Sequence, residues 1–269
     1  MVEFVEAYGL EIAYERVGAG PPFVFVHGAG DDSRIWQPQL DGLADEFTVV
    51  AWDEPGAGRS SDLPEGFALA DFADALAVLI DGLGLGPAHV AGISWGGTVV
   101  LELYRRHPSL VASLVMIDTY AGWRGSLPAE EVEARVASAR QMLAAPPEQF
   151  DPTPPGLFAT GAPPQFVPLL AGIAEDVRPA TLRRELDIMA TADLSDLLPQ
   201  VSVPTLLIWG DLDVRSPLEV ADQFAASIPD SELVVIQGAG HLSNLERPER
   251  VNAAVRAFCR TQARRPDPR

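Results

Sequence analysis

The stretch HVAGISWGGTVVLELYRRHP, residues 89–108, sets Gly92, Ile93, Ser94, Trp95 and Gly96 in the order G-x-S-x-G, between a short apolar run and a segment of helical character. A serine pinched between a strand and a helix adopts a strained backbone conformation, so the residues two before and two after it must lack side chains. Gly92 and Gly96 meet that demand. The turn projects the Ser94 hydroxyl above the carboxyl edge of a sheet, and the amide of Trp95, at the positive end of a helix, points toward the same space. A hydroxyl nucleophile beside a donor for a developing oxyanion points to acyl transfer. Such a hydroxyl is weak at its own pKa and needs a base within hydrogen-bond reach.

Other candidates for chemistry sit where apolar runs end. His27, Gly28 and Ala29 follow FVFV (23–26), Asp213 follows TLLIW (205–209) through Gly210, Asp211 and Leu212, and His241 follows ELVVI (232–236) through Gly238, Ala239 and Gly240. Short, wholly apolar runs are the signature of parallel strands buried on both faces, and FTVVAW (47–52) and VASLVMI (111–117, ending at Asp118) have the same character. In open α/β sheets the loops at the carboxyl ends of strands line the ligand crevice, so four distant segments converge there. For an acid partner the chain offers Asp118, Asp211 and Asp213. Among the other histidines, His27 reads as a brace for its loop, and His107, before Pro108, as a cap on free helix carbonyls.

Residues 2–8 and 11–17 read as an antiparallel pair, which brings the strand count to eight. Helical spacing covers 34–44, 69–83, about 217–227 and about 247–260, besides the helix after Ser94. DEPGAGRSSD (53–62) lacks the spacing of a phosphate loop and reads as a structural turn. From Trp123 to about Pro199 the composition changes. Helical segments at 130–143, 166–177 and 180–194 are separated by prolines at 146–147, 152–155 and 163–164. A helical block between two strands of an α/β pattern reads as a cap over the sheet edge, the place for substrate selectivity. The expected fold is α/β, a mostly parallel eight-stranded sheet flanked by helices. Its core comprises 1–122 and 200–262, the cap 123–199, and a frayed tail 263–269.

Composition narrows the function classes. A chain of 269 residues, 47% hydrophobic and 21% charged, suits one α/β domain with an insertion, and no apolar run has the length to cross a bilayer. The formal net charge of −19 argues against nucleic acid as a partner and disfavours a polyanionic substrate, and no membrane partner is expected. Every basic residue is arginine, so lysine Schiff-base chemistry and a P-loop lysine are excluded. With Cys259 alone and four histidines (His27, His89, His107, His241) without ligand spacing, no metal and no organic cofactor is expected. The beginning, MVEFVEAYGLEIAYE, is acidic where a signal peptide is basic and then apolar, so a cytoplasmic location is expected.

Taken together, the HG turn at His27 and Gly28, DEPGAGRS, GISWGG, WGDLD and GAGH resemble the α/β-hydrolase superfamily in its capped form, over residues 2 to 260. The resemblance implies a Ser94, Asp213, His241 triad in the superfamily's chain order, because G-x-x-D after the penultimate strand matches its acid position. His241 would take the Ser94 proton, and Asp213 would hold the imidazole in the right tautomer. It also implies an oxyanion hole of the Ala29 and Trp95 amides. Gly28, Trp36, Trp123 and Arg124 are expected near the substrate, and Arg34 and Arg215 near the pocket loops. The implied activity is cofactor-free hydrolysis of a small carboxylic ester or lactone. Carbon-carbon bond hydrolases, metal-free perhydrolases, carrier-linked thioesterases or cyclases and receptors without turnover share these motifs. Serine at position 94 argues against the dehalogenase and epoxide hydrolase branches, which use a carboxylate nucleophile.

Overall fold

The computed structural model describes residues 1–144, 151 and 153–262. Eight strands form one sheet: β1 (Val2–Ala7), β2 (Leu10–Val17), β3 (Pro22–Val26), β4 (Thr48–Trp52), β5 (Ala88–Ile93), β6 (Val111–Ile117), β7 (Thr205–Gly210) and β8 (Ser231–Ile236). Their spatial order is β1-β2-β4-β3-β5-β6-β7-β8. β2 runs antiparallel to β1 and β4, and every other pairing is parallel. β5, which leads to Ser94, lies in the middle of the parallel part.

The apolar runs extend along both faces because both faces are covered. Phe23 and Phe25 of β3 pack into one hydrophobic layer while Val24 and Val26 pack into the other, and β7 divides its residues likewise, Leu206 and Ile208 against Leu207 and Trp209. One layer is closed by α2 (Leu69–Gly82), α3 (Trp95–Arg106) and α7 (Leu218–Ser227). The other is closed by α1 (Gln37–Leu43) and α9 (Pro248–Gln262). Arg256 and Arg260 of α9 pair with Glu46 just before β4, and Arg256 also with Asp45, which ties the last helix to the front of the sheet.

Boundaries follow the sequence pattern closely, with three differences. The segment read as one helix over 34–44 is a 3-10 turn, Ser33–Trp36, followed by α1, because the Asp32 carboxylate accepts from the Arg34 amide and Pro38 sits in the first turn of α1. A short helix α8 (Ser243–Glu246) directly after His241 was not foreseen; four residues are too few to show a helical period. His107 does not cap carbonyls: its Nε2 bonds the Asp74 carboxylate at 2.7 Å. The proposed tail 263–269, and the prolines at 146, 147 and 152, lie outside the described residues.

Between β6 and β7 the described chain is helical, with α4 (Ala129–Ala144), α5 (Val167–Asp176) and α6 (Pro179–Thr191). α6 packs on α4 and α3, and α5 packs on the 3-10 turn after β3. Among the described residues no helix is long and apolar enough to cross a membrane.

The tightest packing surrounds the β5–α3 junction. Ser94 has φ 52° and ψ −119°, and a Cβ on Gly96 would lie 2.3 Å from the Val26 carbonyl oxygen and 2.5 Å from that of His27. Gly96→Ala is therefore expected to cost about 1–3 kcal/mol. Gly82→Ala, where the nearest atom would be Val5 Cγ2 at 3.6 Å, is expected to be neutral or slightly stabilising. Thermal denaturation of both variants checks the contrast, and equal midpoints would refute it.

Candidate active site

Ser94 stands between β5 and α3 on a turn whose backbone is held from three sides. A Gly92 Cβ would lie 2.5 Å from the Gly96 carbonyl carbon, and a Gly97 Cβ 2.0 Å from Thr119 Oγ1. Thr119 Oγ1 in turn donates to the Ser94 carbonyl at 2.5 Å. Positive φ at a serine costs of order 1–3 kcal/mol and persists where surrounding structure over-determines it. Gly97 is thus as constrained as the two glycines of the motif, through a contact with the loop after β6 that no local pattern reveals.

Asp213 and His241 meet although 28 residues separate them: His241 Nδ1 lies 2.8 Å from Asp213 Oδ2. The other carboxylate oxygen, Oδ1, accepts from the amides of Arg215 at 2.7 Å and Ser216 at 2.9 Å. Both side chains are buried. With Nδ1 engaged by a carboxylate, the imidazole presents Nε2 as its free nitrogen, the tautomer that can accept a proton. The loop bearing His241 is braced by Glu246 of α8, whose carboxylate accepts from the Gly240 amide at 2.5 Å and the Ala159 amide at 3.0 Å.

Asp118, one alternative acid, is buried and used elsewhere. Its Oδ1 accepts from the Gly210 amide at 2.8 Å, and its Oδ2 from Ser243 Oγ at 2.5 Å and the Ser243 amide at 3.3 Å. Burial, and then the nearby Asp213 charge, push its pKa well above the carboxylate range despite these donors. Asp118 joins the end of β6 to β7 and to α8, so it stabilises the loops that carry Asp213 and His241. Asp211 accepts from the Gly238 amide at 2.6 Å, as a turn residue does.

Ser94, His241, Gly28 and Ala29 line one cavity of about 130 Å³. Tyr120 and Trp123 contribute to its lining, together with Leu170 and Ile173 of α5 and Leu182, Leu186 and Met189 of α6. The amides of Ala29 and Trp95 make no hydrogen bond to other described residues, which leaves both as free donors near Ser94. His27 braces their loop as expected: Nδ1 bonds the Gly28 carbonyl at 2.9 Å and Nε2 accepts from the Glu54 amide at 3.1 Å, with burial lowering the ring's pKa.

Two expected pocket residues do not reach this cavity. Trp36 is fully buried against Phe25, ring centroids 4.7 Å apart, because the 3-10 turn directs its indole into the layer beneath the sheet. Arg124 is exposed to solvent. Arg34 is spent on Asp32 and Asp176. Arg215 does line the cavity, and so do four polar groups that the sequence reading passed over, Asp31, Tyr120, Arg135 and Asp151. Arg135 reaches over from α4 to donate to the Tyr120 hydroxyl at 2.9 Å and to the Arg215 carbonyl at 2.5 Å. Burial pushes the Tyr120 phenol up to about 12. The paired acids directly after HGAG were a usable signal for Asp31. Nothing local marked Arg135, which sits on a helix with no fully buried residue.

Comparison with known proteins bears on this site. The profile of the Alpha/beta hydrolase family matches residues 23–254, and the chain belongs to that family. A protein of Pseudomonas syringae pv. syringae named "Putative carbamate hydrolase RutD" is 30% identical over 251 residues, 90% of this chain and 95% of its own. An Acinetobacter baylyi (E)-2-((N-methylformamido)methylene)succinate hydrolase is 27% identical over 253 residues, 92% of this chain and 94% of its own. A thermophilic esterase from Thermogutta terrifontis, solved with malate bound, has a TM-score of 0.81 and 31% identity, covering 97% of this chain and 99% of that one.

Replacing Asp118 with Ala would leave two amides and a hydroxyl without their buried acceptor. A loss of about 1–3 kcal/mol in urea unfolding is expected, with the midpoint lowered. An unchanged midpoint would mean that the carboxyl does not hold these loops.

Proposed function

We propose that this α/β hydrolase cleaves a small carboxylic ester or lactone through an acyl-enzyme. The observation that carries the reading is the buried 2.8 Å bond from His241 to Asp213, on a histidine that shares its cavity with Ser94. In this reading His241 Nε2 takes the Ser94 proton as Oγ attacks the acyl carbon, then passes it to the leaving oxygen. Asp213 orients the ring and stabilises the imidazolium. The amides of Ala29 and Trp95 receive the oxyanion, and each such donor is typically worth ~10²- to 10³-fold in rate. A water then follows the same path to release the acid.

Segment 123–199 acts as the cap, since its helices α5 and α6 supply much of the apolar lining of the cavity that holds Ser94. Of the pocket residues, Gly28 and Trp123 face the substrate. A second reading, hydrolysis of a carbamate, rests on the name of the Pseudomonas relative and uses the same groups. Carbon-carbon cleavage and perhydrolysis also use this triad, and they separate from esterase action by their products.

The test is intact-mass analysis after a fluorophosphonate, alongside turnover of p-nitrophenyl esters, lactones and carbamates, with and without peroxide. A single adduct on Ser94 and ester or lactone turnover are expected. Ser94→Ala should abolish both and leave the fold intact, a fall of at least about 10³-fold. Asp213→Asn should lower kcat by about 10²- to 10⁴-fold, through a wrong tautomer of His241. Ser94→Ala activity near wild type would overturn the nucleophile, and carbamate turnover alone would favour the second reading.

A further inference from the structure

Two buried carboxyl groups next to the loop after β3 are not used by the proposed chemistry. Glu54, in the loop after β4, is fully buried, and Glu185, on α6, is 1% exposed. The two carboxyl groups lie within hydrogen-bond reach of each other, and a bond between them requires that one of them carry a proton. Each carboxyl also bonds a residue at or next to one of the two proposed oxyanion donors. Glu185 Oε2 accepts from the Gly30 amide at 3.0 Å, next to Ala29. Glu54 accepts from the Trp95 indole, with Nε1 2.9 and 3.0 Å from its two oxygens, and Trp95 opens α3. The Glu54 amide, finally, is bonded to His27, at the root of the same loop.

We propose that Glu54 and Glu185 form a positioning pair that sets the spacing of the Ala29 and Trp95 amides, by locking the loop after β3 and the start of α3 to the helical insertion through one shared proton. The inference rests on the acyl-enzyme reading above. Two donors from separate elements act together on an oxyanion only if their separation is fixed to a fraction of an ångström. Gly30 is held by a residue of α6 and Trp95 by a residue of the β4 loop, and the shared proton is the link that closes the ring. Seating of the insertion and alignment of the donors are thereby one event.

The surroundings favour keeping that proton. Among the described residues neither carboxyl has an ion-pair partner. The titratable groups nearby are His27, which is bonded on both ring nitrogens, Asp31, and Asp32, which is held by Arg34. Next to Glu54 in sequence, Asp53 is paired with Arg59. Burial raises the pKa of both carboxyl groups; at Glu54, raised well above its ordinary value, the charge of Glu185 and the bond to it add to the rise, and at Glu185 the bonds to Glu54 and the Gly30 amide offset it in part. Above the pH at which the proton leaves, two carboxylates would face each other without a cation, and the insertion would be pushed from the loop. At lower pH the lock holds.

The experiment compares wild type with Glu185→Ala and Glu185→Gln. Readouts are kcat and KM for p-nitrophenyl acetate across pH 6–10 and deuterium uptake of residues 27–31. Glu185→Ala should lower kcat about 10- to 100-fold at neutral pH with KM within about twofold, and should raise deuterium uptake of the loop. Glu185→Gln can accept from Gly30 and donate to Glu54 without a second charge. It should retain kcat within about threefold and lose the wild-type fall at alkaline pH. An unchanged kcat and uptake in Glu185→Ala, or the same alkaline fall in Glu185→Gln, would overturn the proposal, the latter even if Glu185→Ala does not fold. Wild type without ester turnover or a Ser94 adduct would instead overturn the acyl-enzyme reading, and the uptake comparison would still decide whether the pair positions the loop.

Discussion

The backbone contact between β5 and α3 is the constraint from which the rest of the site follows. The strand must turn into the helix within one residue, so Gly92 and Gly96 approach to a distance that excludes a Cβ, and Ser94 is left at φ 52°. That strain is held by the neighbours: β3 carbonyls press on Gly96, and Thr119 grips the Ser94 carbonyl. In consequence the loops after β3 and β6 are fixed relative to Ser94 to within a hydrogen bond. The loops after β7 and β8 are then fixed relative to those, through Asp118 and its bonds to Gly210 and Ser243. A serine on an ordinary helix start would hold none of them.

An acidic chain that concentrates carboxyl groups at one sheet edge must deal with their burial. Three solutions occur side by side. Asp53 is paired with Arg59, and although burial alone would raise its pKa, the Arg59 and Ser33 donors leave it lowered. Asp118, Asp213 and Glu246 instead accept from backbone amides at loop junctions. Glu54 and Glu185 bond each other. Only the first arrangement is a conventional ion pair; in the others the carboxyl groups bond backbone amides or each other, at the places where loop geometry matters for chemistry.

The helices between β6 and β7 contribute in two different ways. Leu170, Ile173, Leu182, Leu186 and Met189 supply apolar surface, which any similar set of side chains could offer. Glu185 and Arg135 reach specific partners on the core, the Gly30 amide and the Tyr120 hydroxyl. Loss of packing would alter the shape of the cavity, whereas loss of these polar bonds would alter the position of the groups around Ser94.

Most of the architecture was legible in the order of residues alone. Apolar runs of five to seven residues on both faces of a parallel sheet look the same wherever they occur, and helices with apolar stripes announce themselves by period. That Asp213 would meet His241, and His241 share a cavity with Ser94, could be anticipated because each stands shortly after such a run and topology brings strand ends together. Trp36 and Arg124 were misplaced as pocket residues because the direction of a side chain depends on local turn geometry, here a 3-10 turn and an exposed hydrogen-bonded turn. Gly97, Glu54, Glu185, Arg135 and Tyr120 could not be read in advance. Their partners lie between 15 and 155 positions away or on another layer, and a contact at that separation has no period and leaves no local pattern. The sequence by itself therefore determined which elements form and which residues stand at their ends; only the tertiary structure decided which buried polar groups meet, because that depends on how loops from separate layers close over one another.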